Sequence, residues 1–176
     1  MAPAYLRRLA AVVPLCLGLI AVGGAGPASA TAPSTASVER SLAASMLKLL
    51  NSERATHHEG ALRANSLLVS SAHQHNLMMA KDNSMSHQLP GEAGFSTRIS
   101  RAGYKWSRAA ENIGWSSSQT LSALTGLEKL MFEEKAPNDG HRLNILGSYR
   151  DIGIDVYFDT KHHKMWFTQD FGYPAR

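Results

Sequence analysis

From Val38 onward, apolar side chains recur at Leu42, Met46, Leu49 and Leu50. Steps of three and four are the spacing of one helical stripe, so the segment is predicted to be a helix up to the polar stretch Asn51 to Arg54, closed by His57 to Gly60. A second helix is predicted after Asn65, an N-cap residue, with Leu67, Leu68, Ala72, His75, Met78 and Met79 turned to the core and Asp82-Asn83 at its end. A loop from Ser84 to Gly94 holds His87 and Pro90, and Phe95 to Ala102 reads as a short helix with Gly103 just past it. Ala109 to Trp115 reads as a short strand running into the serines Ser116 to Ser118. Leu121, Leu124, Leu127 and Met131 mark a further helix, Glu134 continues its side, and Pro137 bars its extension. The last third changes period. Ile152, Ile154, Val156 and Phe158 alternate with Gly153, Asp155 and Tyr157, and Met165 to Phe171 repeats the alternation across the polar connection Asp159 to Lys164, which predicts a β-hairpin. Helices first and antiparallel strands last predict an α+β layered domain without internal repeats.

The N-terminus stands apart. Arg7 and Arg8 precede an apolar run from Leu9 to Val22, followed by Gly23, Gly24, Gly26 and Pro27 and then by Ala28-Ser29-Ala30. That is the layout of a signal peptide cleaved after Ala30, with an apolar run too short and too soon broken for a stable membrane anchor. The expected organisation is therefore a signal peptide at 1–30, a flexible lead-in at 31–37 rich in Ala, Ser, Thr and Pro, and one domain at 38–176. The chain has 176 residues, 44% of them hydrophobic and 18% charged, which suits one domain with a real core and excludes a multidomain machine or a disordered tail. Arg7 and Arg8 supply two of the four net positive charges, and no basic run or stripe follows, so nucleic acid is not an expected partner. The single cysteine, Cys16, lies within the apolar run after Pro14 and Leu15, where a lipid anchor would not use it. A mature chain without cysteine has no thiol nucleophile, thiolate metal site or disulfide.

Four ionisable residues carry the candidate chemistry: His87 in its loop, Glu111 opening Glu111-Asn112-Ile113-Gly114, Glu134 at a helix end, and His141 after Asn138-Asp139-Gly140. Their spacing matches no local metal motif, so the fold must bring them together. An alternative for Glu111 is a strand-end carboxylate bonded to amides or a cation, and for Glu134 a solvated helix-terminal charge. The pairs His57-His58 and His162-His163 read as solvated loop residues, and His73 and His75 fall on different faces of their helix. Arg142 and Asn144 read as loop-fixing, Gln169 as serving the sheet, and Trp106, Trp115 and Trp166 as core or cleft wall. No Gly-x-Ser-x-Gly, phosphate loop, dinucleotide fingerprint or metalloprotease helix occurs.

An ordered series of motifs adds to this. Leu50-Asn51-x-x-Arg54, Met85-Ser86-His87, Glu111-Asn112-Ile113, Gly140-His141-Arg142-Leu143-Asn144-Ile145-Leu146, Ile152-Gly153-Ile154 and Phe167-Thr168-Gln169-Asp170-Phe171-Gly172 together resemble a bacterial secreted CAP, or SCP-like, domain. The family includes cysteine-rich secretory proteins, venom antigens and plant pathogenesis-related proteins. The resemblance implies a three-layer α-β-α sandwich with a mainly antiparallel sheet and a cleft holding two histidines and two acids, which fall on His87, Glu111, Glu134 and His141. The family's tryptophan three residues before the second acid is Met131 here, and a one-residue slip would place Glu133 in that role instead. His87 and His141 are candidate ligands for zinc or another divalent ion, and a carboxylate beside a histidine is a candidate general base. Expected partners are a small ligand, a lipid or a peptide in the cleft, with Met85, Trp106, Trp115 and Phe132 as apolar walls. The protein is expected to be a secreted monomer, either a binding module or a metal- or His-dependent hydrolase.

Overall fold

The computed structural model describes residues 32–176, so the expected signal segment at 1–30 lies outside the described residues. Helix α1 spans Thr35–Thr56 and begins inside the stretch expected to be a flexible lead-in, because Ser34 takes the cap position and accepts a hydrogen bond from the Ser37 amide. A two-residue strand β1, Arg63–Ala64, leads into α2, Ser66–Asp82. Asn65 caps α2 by accepting from the Leu67 amide at 2.9 Å, and Asn83 ends it in the left-handed conformation at φ 48°. Then come α3, Phe95–Arg101, the long strand β2, Trp106–Ser116, α4, Leu121–Phe132, and α5, Gly140–Ile145. Strands β3, Asp151–Asp159, and β4, Lys164–Pro174, close the chain as the expected hairpin.

Four strands form one sheet in the order β1-β3-β4-β2. The hairpin and the β2–β4 pair are antiparallel, as expected. The sheet is mixed, however, because β1 pairs parallel to β3 through Arg63 and Ala64. Two residues carry no readable period, which is why β1 is invisible to pattern.

β4 lies between two neighbours and sends alternate side chains to opposite layers. Met165, Phe167 and Phe171 pack with Leu42, Met46 and Leu50 of α1, Leu124 and Met131 of α4, and Ile145 of α5. Trp166 packs on the other face against Met79 and Ala80 of α2. Leu68 of α2, Ile99 of α3 and Tyr104 form a third cluster on that second face. The result is three layers, helices α1, α4 and α5 on one side and α2 and α3 on the other. Each large apolar side chain buried this way contributes about 1.5–3 kcal/mol.

Two details set how closely the layers meet. A Cβ on Gly153 would lie 2.1 Å from the Leu68 carbonyl carbon, so glycine there lets the α2 backbone rest directly on β3. Leu67 and Leu121, expected on core stripes, are 41% and 45% exposed instead, since each sits in the first turn of its helix beyond the reach of the sheet.

The motif in α1 is structural. Asn51 pairs with the Leu62 backbone through both its amide atoms, accepting at 2.8 Å and donating at 3.0 Å, and so sets the entry to β1. Arg54, 1% exposed, donates to the carbonyls of Gly60, Ile145 and Gly147 at 2.6–2.9 Å. Its charge thereby satisfies the C-terminal carbonyls of α5 and anchors the element that carries His141.

Candidate functional site

All four expected residues meet. His87, Glu111, Glu134 and His141 line one cleft of about 590 Å³, together with Asn138, Gly140, Leu143 and Asn144. The elements explain the convergence. β2 presents Glu111 at its middle, α4 stops two residues short of Glu134, α5 starts beside His141, and the loop after α2 swings His87 across the end of the sheet.

The four form two histidine–carboxylate pairs. His87 Nδ1 lies 2.9 Å from Glu111 Oε1, and His141 Nδ1 lies 2.5 Å from Glu134 Oε1. Ionised carboxylates only accept, so each ring carries its proton on Nδ1 and keeps Nε2 as a free lone pair when neutral. Glu134 also accepts from the His141 backbone amide at 3.0 Å, which ties both ends of the turn Lys135 to Gly140. Glu133 points elsewhere and pairs with Lys129 at 3.8 Å on the surface, so Glu134, not its neighbour, is the acid that faces the cleft. Asn144 donates to the Glu111 carbonyl at 3.3 Å and to Asn112 Oδ1 at 2.8 Å, binding α5 to β2 across the cleft floor.

Behind His87 lies a buried network that sequence reasoning missed. Glu111 is 5% exposed and takes the Arg98 guanidinium on its second oxygen. Arg98 also donates to the carbonyls of His87 and Ala93 at 3.0 and 2.8 Å and lies 3.6 Å from Glu92. Glu92 in turn accepts from His75 at 2.8 Å, and His75 Nε2 sits 3.9 Å from Glu111. Burial alone would raise the Glu111 carboxyl, but the hydrogen bond from His87 and the charges of His75 and Arg98 outweigh it and hold it below the ordinary range. Asp170 stands directly opposite Glu111 on β4, fully buried, and burial followed by the Glu111 charge pushes its carboxyl well above that range. One signal was available: Arg98 shares the core-facing side of a short helix with Ile99, and a buried guanidinium must find an acid.

Several expectations change. The apolar walls expected from Met85, Trp106, Trp115 and Phe132 do not form; Leu143 is the apolar lining residue, and Trp106 packs under α3 instead. Phe132 lies under the Arg142 guanidinium at 4.7 Å and against the His57 ring at 5.5 Å. Of the histidines expected to be solvated, His162 bonds Asp159 at 2.6 Å within the β3–β4 turn, because its ring falls back over the turn's own acid. His73 and His75 do diverge, to Asp155 and Glu92 respectively. Gln169 bridges Asn112 and Glu128 instead of serving the sheet alone. Among the described residues, no group of three or more His, Cys, Asp or Glu side chains is arranged to hold a metal ion, and no helix is long and apolar enough to cross a membrane.

The cysteine-rich secretory protein family model matches residues 47–171, a span that takes in both pairs and all of the sheet except the last three residues of β4. The chain belongs to the CAP family. Its CAP fold is similar to that of an extracellular protein containing an SCP domain from Bacillus anthracis, with TM-score 0.66 and 23% identity over 81% of this chain and 45% of that one. An outer surface protein from Borrelia burgdorferi matches with TM-score 0.66 and 12% identity over 77% and 95% of the two chains. A cysteine-rich secretory protein from Staphylococcus aureus matches with TM-score 0.56 and 19% identity over 76% and 39%. The chain thus spans less than half the length of the B. anthracis and S. aureus proteins. Among curated protein sequences, none matches. At these identities the solved relatives establish the CAP architecture alone.

Proposed function

We propose that this CAP domain is exported and binds a polar small molecule, a peptide or a divalent cation in the His/Glu cleft. The observation that carries the reading is the pairing itself: two imidazoles in one cleft, each oriented through Nδ1 by a carboxylate and each with Nε2 free. A carboxylate behind the ring is what metal-binding histidines use to fix their tautomer and basicity, so each ring is a suitable zinc donor, and the two together supply one protein ligand fewer than an open zinc site commonly has. His87 and His141 would hold the ion, with Glu111 and Glu134 spent on the rings and the remaining positions left to water or ligand. A bound ion would supply Lewis-acid polarisation of a ligand carbonyl or water. The His, Glu and Asn side chains of the lining offer a peptide or other hydrogen-bonding ligand several partners. Export rests on the signal-like segment at 1–30, and the solved relatives described as extracellular or outer-surface proteins agree with it.

Titration calorimetry of purified protein with zinc tests the metal part. The expected result is a saturable heat that disappears in the His87→Ala, His141→Ala double variant; the same heat in both proteins overturns the assignment. A hydrolytic reading draws on the same oriented imidazoles. Among the described residues, no Ser, Thr or Cys lines the cleft, so an imidazole would have to activate a water as general base. Release of a chromogenic ester that survives the double variant would exclude it.

A further inference from the structure

On the sheet face covered by α1 and α4, two acids lie in the core where the cleft does not use them. Glu53, in the last turns of α1, and Glu128, in α4, are 8% and 0% exposed. Each has one carboxyl oxygen, Glu53 Oε2 and Glu128 Oε1, without a hydrogen-bond partner. The other oxygen of Glu128 accepts from Gln169 Nε2. Gln169 Oε1 accepts from Asn112 at 3.1 Å, and Asn112 reaches the His141 carbonyl at 3.3 Å and Asn144 at 2.8 Å. An unbroken chain of buried amides therefore links Glu128 to the helix that carries His141.

Among the described residues, cations offset the two acids only in part. From α1, the neighbouring Arg54 is turned to the carbonyls of Gly60, Ile145 and Gly147. From α5, Arg142 lies on the Phe132 ring and binds the Phe132 carbonyl. At the exposed side of α4, Lys129 pairs with Glu133 and lowers Glu53, but by less than burial and the Glu133 charge raise it. β4 contributes only the uncharged Gln169. An ionised carboxylate with an unpartnered oxygen is costly in such a place, and two on packed helices repel, so both are stable there only while protonated.

We propose that Glu53 and Glu128 form a pH-sensitive latch between α1 and α4, closed while both are protonated and loosened when they ionise. Burial and then the Glu133 charge push Glu53 up to about 7. Burial pushes Glu128 up to about 8 against the hydrogen bond from Gln169, with the Glu53 charge adding to the rise. The folded chain keeps these protons where the unfolded chain releases them near 4.5, so the latch weakens as pH climbs from 4.5 to about 8 and is open above that. Because α4 runs into Glu134, an open latch frees one wall of the cleft. That consequence for ligand binding rests on the binding reading above, whereas the latch itself does not.

Amide hydrogen exchange of the ligand-free protein at about pH 6 and about pH 9, corrected for intrinsic rates, tests the latch. Protection of α4 is expected to fall about tenfold relative to α2 at the higher pH, and to stay within about twofold in the Glu53→Gln, Glu128→Gln double variant. Equal protection of α4 at both pH values, or an equal loss in the double variant, overturns the proposal. Carboxyl-carbon NMR titration of the unaltered protein gives a second readout that needs no variant: Glu53 and Glu128 titrating in the ordinary carboxylate range also overturns it. Neither measurement involves zinc or ligand, so failure of the binding reading and failure of the latch are separable.

Discussion

The two histidine–carboxylate pairs of the cleft look alike at the ring and differ in everything behind it. Glu111 has a side chain only 1% exposed, held from behind by Arg98 and by the His75–Glu92 pair. Glu134 has a side chain 23% exposed and is held by the turn Lys135 to Gly140, which returns the His141 amide to it. One pair is an outgrowth of the core, and the other is a local loop device. Charge pairs taken out of water are costly to break, while those at the surface add little to stability. The cleft therefore joins a wall that cannot be altered without harming the fold to a wall that can.

The sharpest way to break this contrast is to remove Arg98. Arg98→Ala leaves Glu111 and Glu92 buried without their cation, and a loss of about 3–5 kcal/mol in urea unfolding is expected. A loss under about 1 kcal/mol would place Arg98 with the surface pairs and erase the distinction. Glu111→Gln keeps the shape but weakens two charge-assisted hydrogen bonds, and about 2 kcal/mol is expected.

A third test uses acid. The Glu111 carboxyl is held below its ordinary value of 4.5, so its contribution is complete above that pH and is lost as pH falls below it. Unfolding followed from pH about 6 to about 3 should show a steeper decline in the unaltered protein than in Glu111→Gln, and parallel curves would count against the pairing. The smallest effect belongs to the loop wall. Glu134→Gln and His141→Ala are each expected to cost less than about 1 kcal/mol, yet His141→Ala should abolish zinc heat in calorimetry. A large stability loss there would mean that the turn is as integral as the core wall.

These differences also explain what could be read from the chain. The hairpin and the three longer helices followed from periodicity because each buries one stripe or one face. The cleft residues were legible only through the ordered motifs, since His87, Glu111 and His141 are brought together by contacts 24 or more residues apart or by the fold as a whole. α5 escaped because a six-residue helix has too few turns to show a stripe, and its anchor, Arg54, comes from 91 residues away. Arg98, Glu92 and His75 escaped for a related reason. His75 was correctly turned to the core, but nothing local indicates which distant acid satisfies a buried base. The expected aromatic walls failed because exposure of a tryptophan in sequence says nothing about which end of a strand it occupies.

The central place of β4 has a consequence for how this chain can change length. Its consecutive residues Gln169 and Asp170 serve opposite layers, one meeting Glu128 and the other standing beside Glu111. A single inserted residue upstream in that strand would exchange the two and turn Phe167 and Trp166 inside out at the same time. The segment between α4 and α5 has no such parity to preserve, so insertions and deletions should be tolerated there and forbidden in the hairpin.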